Sequence, residues 1–198
     1  MGKTVIKSKQ WRQFFRPLIV GLLVLQVCAF CEVPLGRKDK SPDKSKIAVQ
    51  AKLSHDRVKP GSACFALLVV TIQEGWHINS AIPSEENLVG TSVDVRKTKV
   101  IDSVSIQYQP AVERKFDFTD GVLEVYEGTI QILVRLGIRK SARPGAYLIP
   151  ATVSYQACSN SVCLAPSAVR VNIPVRVTSD GRTIHEINKE LFEPYTLK

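Results

Sequence analysis

The chain has 198 residues, 44% of them hydrophobic, and a formal net charge of +9. That apolar share suffices for one domain with a real core plus appendages. Lys3, Lys7, Lys9, Arg12 and Arg16 carry five of the positive charges and residues 36–46 add a balance of +3, whereas residues 47–198 hold 17 basic against 15 acidic residues; a basic nucleic-acid footprint on the folded part is therefore not expected.

In chain order, the basic start leads into an apolar run over 18–30, with no acid before Glu32. This is the pattern of a secretory signal, and about 13 apolar residues fall short of the roughly 20 that span a bilayer. Val27 and Ala29 give modest side chains at −3 and −1, so residues 1–29 are expected to be removed, with cleavage falling between 29 and 31. A lipoprotein would need a small residue before Cys28 or Cys31, where Val27 and Phe30 stand, so lipidation ranks below cleavage, as does an uncleaved anchor. The expectation is an exported protein with no stable membrane span once the signal is cleaved. Residues 30–46 include GRKDKSPDKSK and read as a basic, flexible linker, because Lys, Asp, Ser and Pro cannot bury apolar surface.

From Ile47 onward strand follows strand. Residues 64–72 (CFALLVVTI) form a β-branched apolar run between turn signals at Lys59-Pro60-Gly61 and Glu74-Gly75. Further strands are expected over 92–95, 100–108, 129–136, 146–157 and 168–177, with turn cues at Asp120-Gly121, Glu127-Gly128 and Arg143-Pro144-Gly145. No stretch within 47–178 has helical periodicity. About seven or eight short strands in such a length predict an all-β fold, an immunoglobulin-like antiparallel β-sandwich over 47–178. Pro150 and Pro174 should bend their strands or place them at a sheet edge, which would put the 158–163 hairpin near a margin of the sandwich. Residues 179–198 are a short C-terminal tail, helical over 185–192.

The five cysteines are Cys28, Cys31, Cys64, Cys158 and Cys163, and export makes a disulfide an ordinary expectation. The last two lie in SYQACSNSVCLAP, residues 154–166, which holds no charge. A strand running into Cys158, a turn over 159–162 and a return from Cys163 would set them opposite each other. Opposed antiparallel residues have α-carbons about 4.5–5.5 Å apart, at the short end of what a disulfide accepts. Closing so small a loop stabilises by only roughly 2 kcal/mol, against nearly 5 for a loop of about 100 residues. Spacing alone still ranks a structural staple first, an exchangeable pair second and a metal site last. A closed zinc site needs about four ligands, and His55, His77 and His185 are scattered singly, so neither metal nor cofactor is expected. His77 reads as a lone histidine beside Trp76 at a strand start. With no Lys, Arg or His in the stretch to lower a thiol pKa, an exchanging pair would be a passive carrier driven by a better-activated partner. Cys64 reads as a small buried hydrophobe, with pairing to Cys31 as the alternative.

Tyr155-Gln156-Ala157-Cys158 followed by Cys163-Leu164-Ala165-Pro166 resembles the cysteine motif of the N-terminal domain family of the thiol:disulfide interchange protein DsbD and of related disulfide bond corrector domains. Val58–Gly61, then Glu74-Gly75-Trp76-His77-Ile78-Asn79, Thr91-Ser92-Val93 and Val125-Tyr126-Glu127-Gly128 follow in that family's order, so the resemblance covers about residues 47–177. It implies a periplasmic immunoglobulin-like domain whose cysteines shuttle electrons. The expected donor is a thioredoxin-like or membrane electron-transfer protein, and the expected recipient a periplasmic disulfide-bearing client. By motif position Cys163 would form the mixed disulfides and Cys158 would resolve them. The resemblance also implies an aromatic cap over the pair, supplied by Phe116 or Phe118, with a core position as the competing reading of Phe118. Trp76 and Tyr155 are expected to line the site, or Trp76 to be a core aromatic. The cysteine spacing is one residue shorter than in the best-known DsbD. Two functions are thus carried forward: a thiol–disulfide relay module, and a non-catalytic immunoglobulin-like binding domain whose hairpin disulfide never opens.

Overall fold

The computed structural model describes residues 45–116, 119, 121–179 and 181–195. The expected signal segment, Cys28, Cys31, most of the linker and Phe118 lie outside the described residues. In chain order the strands are β1 (Ile47–Leu53), β2 (Ala63–Ile72), β3 (His77–Asn79), β4 (Ser92–Val95), β5 (Ile101–Tyr108) and β6 (Val112–Lys115). They continue with β7 (Val122–Tyr126), β8 (Thr129–Ile138), β9 (Gly145–Tyr155), β10 (Ala157–Cys158) and β11 (Ser167–Val177), before the one helix among the described residues, α1 (Lys189–Phe192). No described helix is long and apolar enough to cross a membrane.

The fold is an immunoglobulin-like antiparallel β-sandwich. One sheet has the order β1-β2-β8-β5 and the other β11-β9-β4, and every ladder is antiparallel. The core between them follows from alternation. Cys64, Ala66, Leu68, Val70 and Ile72 of β2 face inward with Ile130, Ile132, Val134 and Leu136 of β8, meeting Ile149, Ala151, Val153, Ile173 and Val175 from the opposite sheet. The expected strands over 92–95, 100–108, 129–136 and 168–177 are present within a residue or two. The helix is shorter than the expected 185–192.

The continuous apolar run in β2 has a separate cause: both of its faces are covered. Leu67, with Phe65 and Val69, points away from the core and packs with Leu133 under Leu191, Phe192 and Tyr195 of the tail. That tail is tied down at several points. Ile187 N donates to Ser54 O (2.8 Å), Asn188 Nδ2 to Leu53 O (2.9 Å) and Tyr195 Oη to Gln131 Oε1 (3.1 Å).

The prolines behave differently from each other. Pro174 lies in β11, an edge strand, as expected. Pro150 lies in β9, which has neighbours on both sides. Its carbonyl accepts from Arg96 N at 2.9 Å, one step beyond the end of β4, so its missing donor falls where that ladder stops.

A third, smaller sheet of order β10-β3-β7-β6 sits beside the sandwich. Its strands run from two to five residues, too short to show a period in the sequence. The expected strand over 146–157 is in fact two: β9 ends at Tyr155, and after Gln156 the chain joins β3 of the small sheet. The cysteine hairpin, which closes the β9–β11 connection, therefore also extends an edge of the small sheet.

Candidate functional site

Gln156 is the residue at which the chain changes sheets, and its side chain holds three segments together. Nε2 donates to Leu164 O (3.2 Å), while Oε1 accepts from Val89 N (3.0 Å) and from Asn79 Nδ2 (3.3 Å). Asn79 Nδ2 also donates to Val89 O (3.0 Å), closing the cluster. An amide suits this position because it offers a donor on one atom and a two-lone-pair acceptor on the other. Beyond it, Ala157 pairs with Ile78 and Cys158 with His77. The chain then turns: Ser159 N donates to Val162 O (2.8 Å), Ser159 Oγ accepts from Ser161 N and Val162 N, and Leu164 N donates back to Ala157 O (2.9 Å).

This turn sets Cys158 and Cys163 as an antiparallel bridge, and their sulfurs are joined in a disulfide. Their α-carbons are 4.0 Å apart, closer than the expected separation. The two ends of the bond differ. Cys158 is 1% exposed, whereas Cys163 is only half-buried; exposed Val162 adjoins Cys163, and exposed Val89 is held by its backbone to Gln156.

Directly paired residues of antiparallel strands project to the same face. His77, Cys158 and Cys163 therefore form one row across the small sheet. The β3–β7 register places Glu127 one step beyond the last paired residues, opposite His77. His77 and Glu127 line a common groove of about 400 Å³ with Trp76, Glu74 and Asn160 of the cysteine turn. Glu127 is held from the other side by Arg114, at 2.9 Å.

The His77 ring is 2% exposed and stacks on Phe116, with centroids 4.1 Å apart and planes at 16°. Phe116 is itself buried, packed with Leu123, Val125 and Leu88. Burial pushes the His77 pKa below its ordinary 6.5, and the Glu127 carboxylate opposes that in part. The unfolded chain thus binds the proton more tightly than the folded one, so this group's contribution is complete above 6.5 and is lost as pH falls below it. Unfolding titrations across that range are expected to show stability falling with acid in the wild type and a flatter profile in His77→Phe.

The remaining expected site residues are placed as follows. Phe116 reaches the site through His77, the residue paired with Cys158. Trp76 is part-buried against the sandwich core, carries Lys46 Nζ over its ring at 4.3 Å, and also lines the groove. Tyr155 is buried in the core, its hydroxyl 2.9 Å from Ser45 Oγ and accepting from Lys46 N. It fixes the entry to β1, and Ser45 and Lys46 of the expected linker dock there. His77, expected as a lone histidine beside Trp76 at a strand start, is instead paired with Cys158, and Asn79 of the same segment joins the Gln156 cluster; a separation of about 80 residues from the cysteines carries no signal of such contacts. Cys64 is free and buried, and burial pushes its thiol up to about 12. It faces the sandwich core and belongs to no part of this row.

The N-terminal periplasmic domain of ScsB from Proteus mirabilis is 18% identical, over 67% of this chain and 47% of that one, with a TM-score of 0.47. The chain thus spans about half the length of that relative. A structure of the complex between the DsbD N-terminal and PilB N-terminal domains from Neisseria meningitidis is matched at 14% identity, over 68% and 87%, with a TM-score of 0.39. The yeast GGA1 GAE domain follows at 12% identity, over 71% and 96%, with a TM-score of 0.34. No curated protein sequence matches the chain. The family model for "Thiol:disulfide interchange protein DsbD, N-terminal" matches residues 47–174, a span that contains the sandwich, the small sheet and the disulfide hairpin alike. The chain belongs to the DsbD N-terminal domain family.

Proposed function

We propose that Cys158–Cys163 is an exchangeable pair through which this domain relays electrons between partner proteins outside the cytosol. The observation that supports it most is the asymmetry of the bond: a sealed Cys158 joined to a part-exposed Cys163 at a sheet edge. Exchange requires attack in line with one sulfur, and access selects which. A donor thiolate attacks Cys163 Sγ; the new intermolecular S–S bond forms as the Cys158–Cys163 bond breaks, and the electron pair leaves on Cys158 Sγ. The donor's second thiolate then attacks its own sulfur in the mixed disulfide and releases Cys163. The donor dithiol has become a disulfide and this domain a dithiol, a transfer of two electrons. Towards a client the steps run in reverse: Cys163 attacks the client disulfide and Cys158 resolves the mixed disulfide, leaving the client reduced.

In this reading the donor is a thioredoxin-like or membrane electron-transfer protein and the client a periplasmic protein with an accessible disulfide. Residues 1–29 act as the export signal, 30–46 as a tether, 47–178 as the relay domain and 179–198 as a strap on it. Val162 and Val89 offer the apolar rim on which a partner rests.

The test has two parts. The wild-type pair is expected to equilibrate with a dithiol buffer at a potential above about −300 mV, the level below which structural bridges resist reduction. Cys158→Ser, expressed with its export signal, is expected to accumulate mixed disulfides through Cys163. A lower potential together with no trapped partner would leave the domain as a binding module with a static staple.

A further inference from the structure

The relay just described has an unsolved step: each half-reaction generates or consumes a thiolate on Cys158, a residue 1% exposed. Burial alone is severe for a thiolate. Cys64, slightly more exposed at 8%, shows the effect within the same chain, its thiol raised to about 12. Cys158 carries no basic neighbour in sequence, since residues 154–166 are uncharged. What the fold brings to it is His77, its directly paired residue on β3, on the same face of the sheet. Opposed side chains of this kind have Cβ atoms about 4.5–5.5 Å apart, within reach of an imidazole and a thiolate.

The state of His77 is unusual in itself. Its Nε2 is buried and has no hydrogen-bond partner among the described residues. Its ring is clamped flat against Phe116 and cannot swing outward to water without breaking that stack. A buried polar nitrogen left unpaired costs stability, and such groups in native proteins call for an explanation in function or redox state. In the oxidised domain both cysteine sulfurs are spent on each other, and the disulfide is a poor acceptor. Reduction creates a strong acceptor on Cys158 that did not exist before.

We infer that His77 is the hydrogen-bond donor that holds and stabilises the buried Cys158 thiolate when the disulfide opens. The inference rests on the relay reading and names the group that makes its buried half-reaction possible. Neutral His77 with its proton on Nε2 suffices for this, because a neutral N–H to an anionic sulfur is a charge-assisted bond. No proton need change hands. Glu127, opposite His77 across β7, favours a proton-bearing imidazole, while Arg114 neutralises part of that carboxylate and Glu74 lines the outer rim of the same groove. His77 thus acts directly on one of the two reacting sulfurs, by stabilising the charge that collects on Cys158. The sulfur that meets the partner's sulfur remains Cys163.

The experiment uses a small dithiol and needs no biological partner. The oxidised domain is reduced with dithiothreitol across a pH series, and the Cys158 thiol is titrated in Cys163→Ser by thiolate absorbance near 240 nm. His77→Phe and His77→Leu both remove the donor but differ in shape, and Phe keeps an aromatic ring against Phe116; His77→Gln retains an N–H. Both apolar variants are expected to slow reduction about 10- to 100-fold and to raise the Cys158 pKa, with His77→Gln in between. Unchanged rate and pKa in all three would overturn the inference, as would a slowing that follows shape, with Leu impaired and Phe not. Should one apolar variant fail to fold, the other carries the comparison. A wild-type pair that resists dithiothreitol altogether would sink the relay reading instead, whereas a reducible wild type with indifferent His77 variants sinks only the role of His77.

Discussion

Cys163→Ser is expected to abolish disulfide exchange, while Cys158→Ser keeps the first half of the reaction and loses the second. The two substitutions are chemically identical and remove the same bond, so a difference between them reports the geometry alone. With Cys163 gone, the remaining thiol is the one that is 1% exposed and paired with buried His77. No partner sulfur can approach it in line, and trapping should fall to background. With Cys158 gone, the remaining thiol is at the sheet edge next to exposed Val162, free to be attacked and to attack, but nothing resolves what it forms. Mixed disulfides should then persist for as long as the preparation is kept from added thiols. Non-reducing gels of the two variants after incubation with a dithiol protein, and alkylation rates of each reduced form, read out the contrast. Equal alkylation rates for Cys158 and Cys163 would remove the basis for assigning them different parts.

The second large effect concerns stability and a separate apolar cluster. Phe192→Ala should destabilise the domain by about 3 kcal/mol, the lower end for deleting a buried aromatic. Phe192 is 5% exposed and covers Leu67 and Leu133 on the outer face of β2 and β8. For a chain of this size that corresponds to a fall of roughly 6–12 °C in melting temperature. The loss should be confined to stability: below the transition, dithiothreitol should reduce the variant at the wild-type rate, because the strap packs on a cluster separate from the one that holds Phe116 beside His77. A variant that melts within a degree or two of the wild type would show that the strap covers the sheet without contributing to its stability.

Much of this protein was legible from local pattern. Long strands announce themselves because their side chains alternate over many residues, and β5, β8 and β11 are found close to where period two places them. The run CFALLVVTI broke that alternation for a reason visible only in three dimensions, since the tail packs on the face that would otherwise meet water. The disulfide was also readable, as was the family, because both are carried by residues close together in the chain. What escaped was the sheet that presents the disulfide. β3, β6, β7 and β10 are too short for a period, β3 is buried throughout, and β6 is exposed throughout, so neither alternates. The site depends on contacts between residues about 40 to 80 apart: Gln156 to Val89 and Asn79, Cys158 to His77, His77 to Phe116. The sandwich, the cysteine hairpin and its kinship all follow from spacing or from short motifs. That one cysteine is sealed beside a buried histidine while the other is part-exposed is visible only in the folded chain. That distinction comes from the change of sheet at Gln156, and a change of sheet is a matter of which distant strand pairs with which.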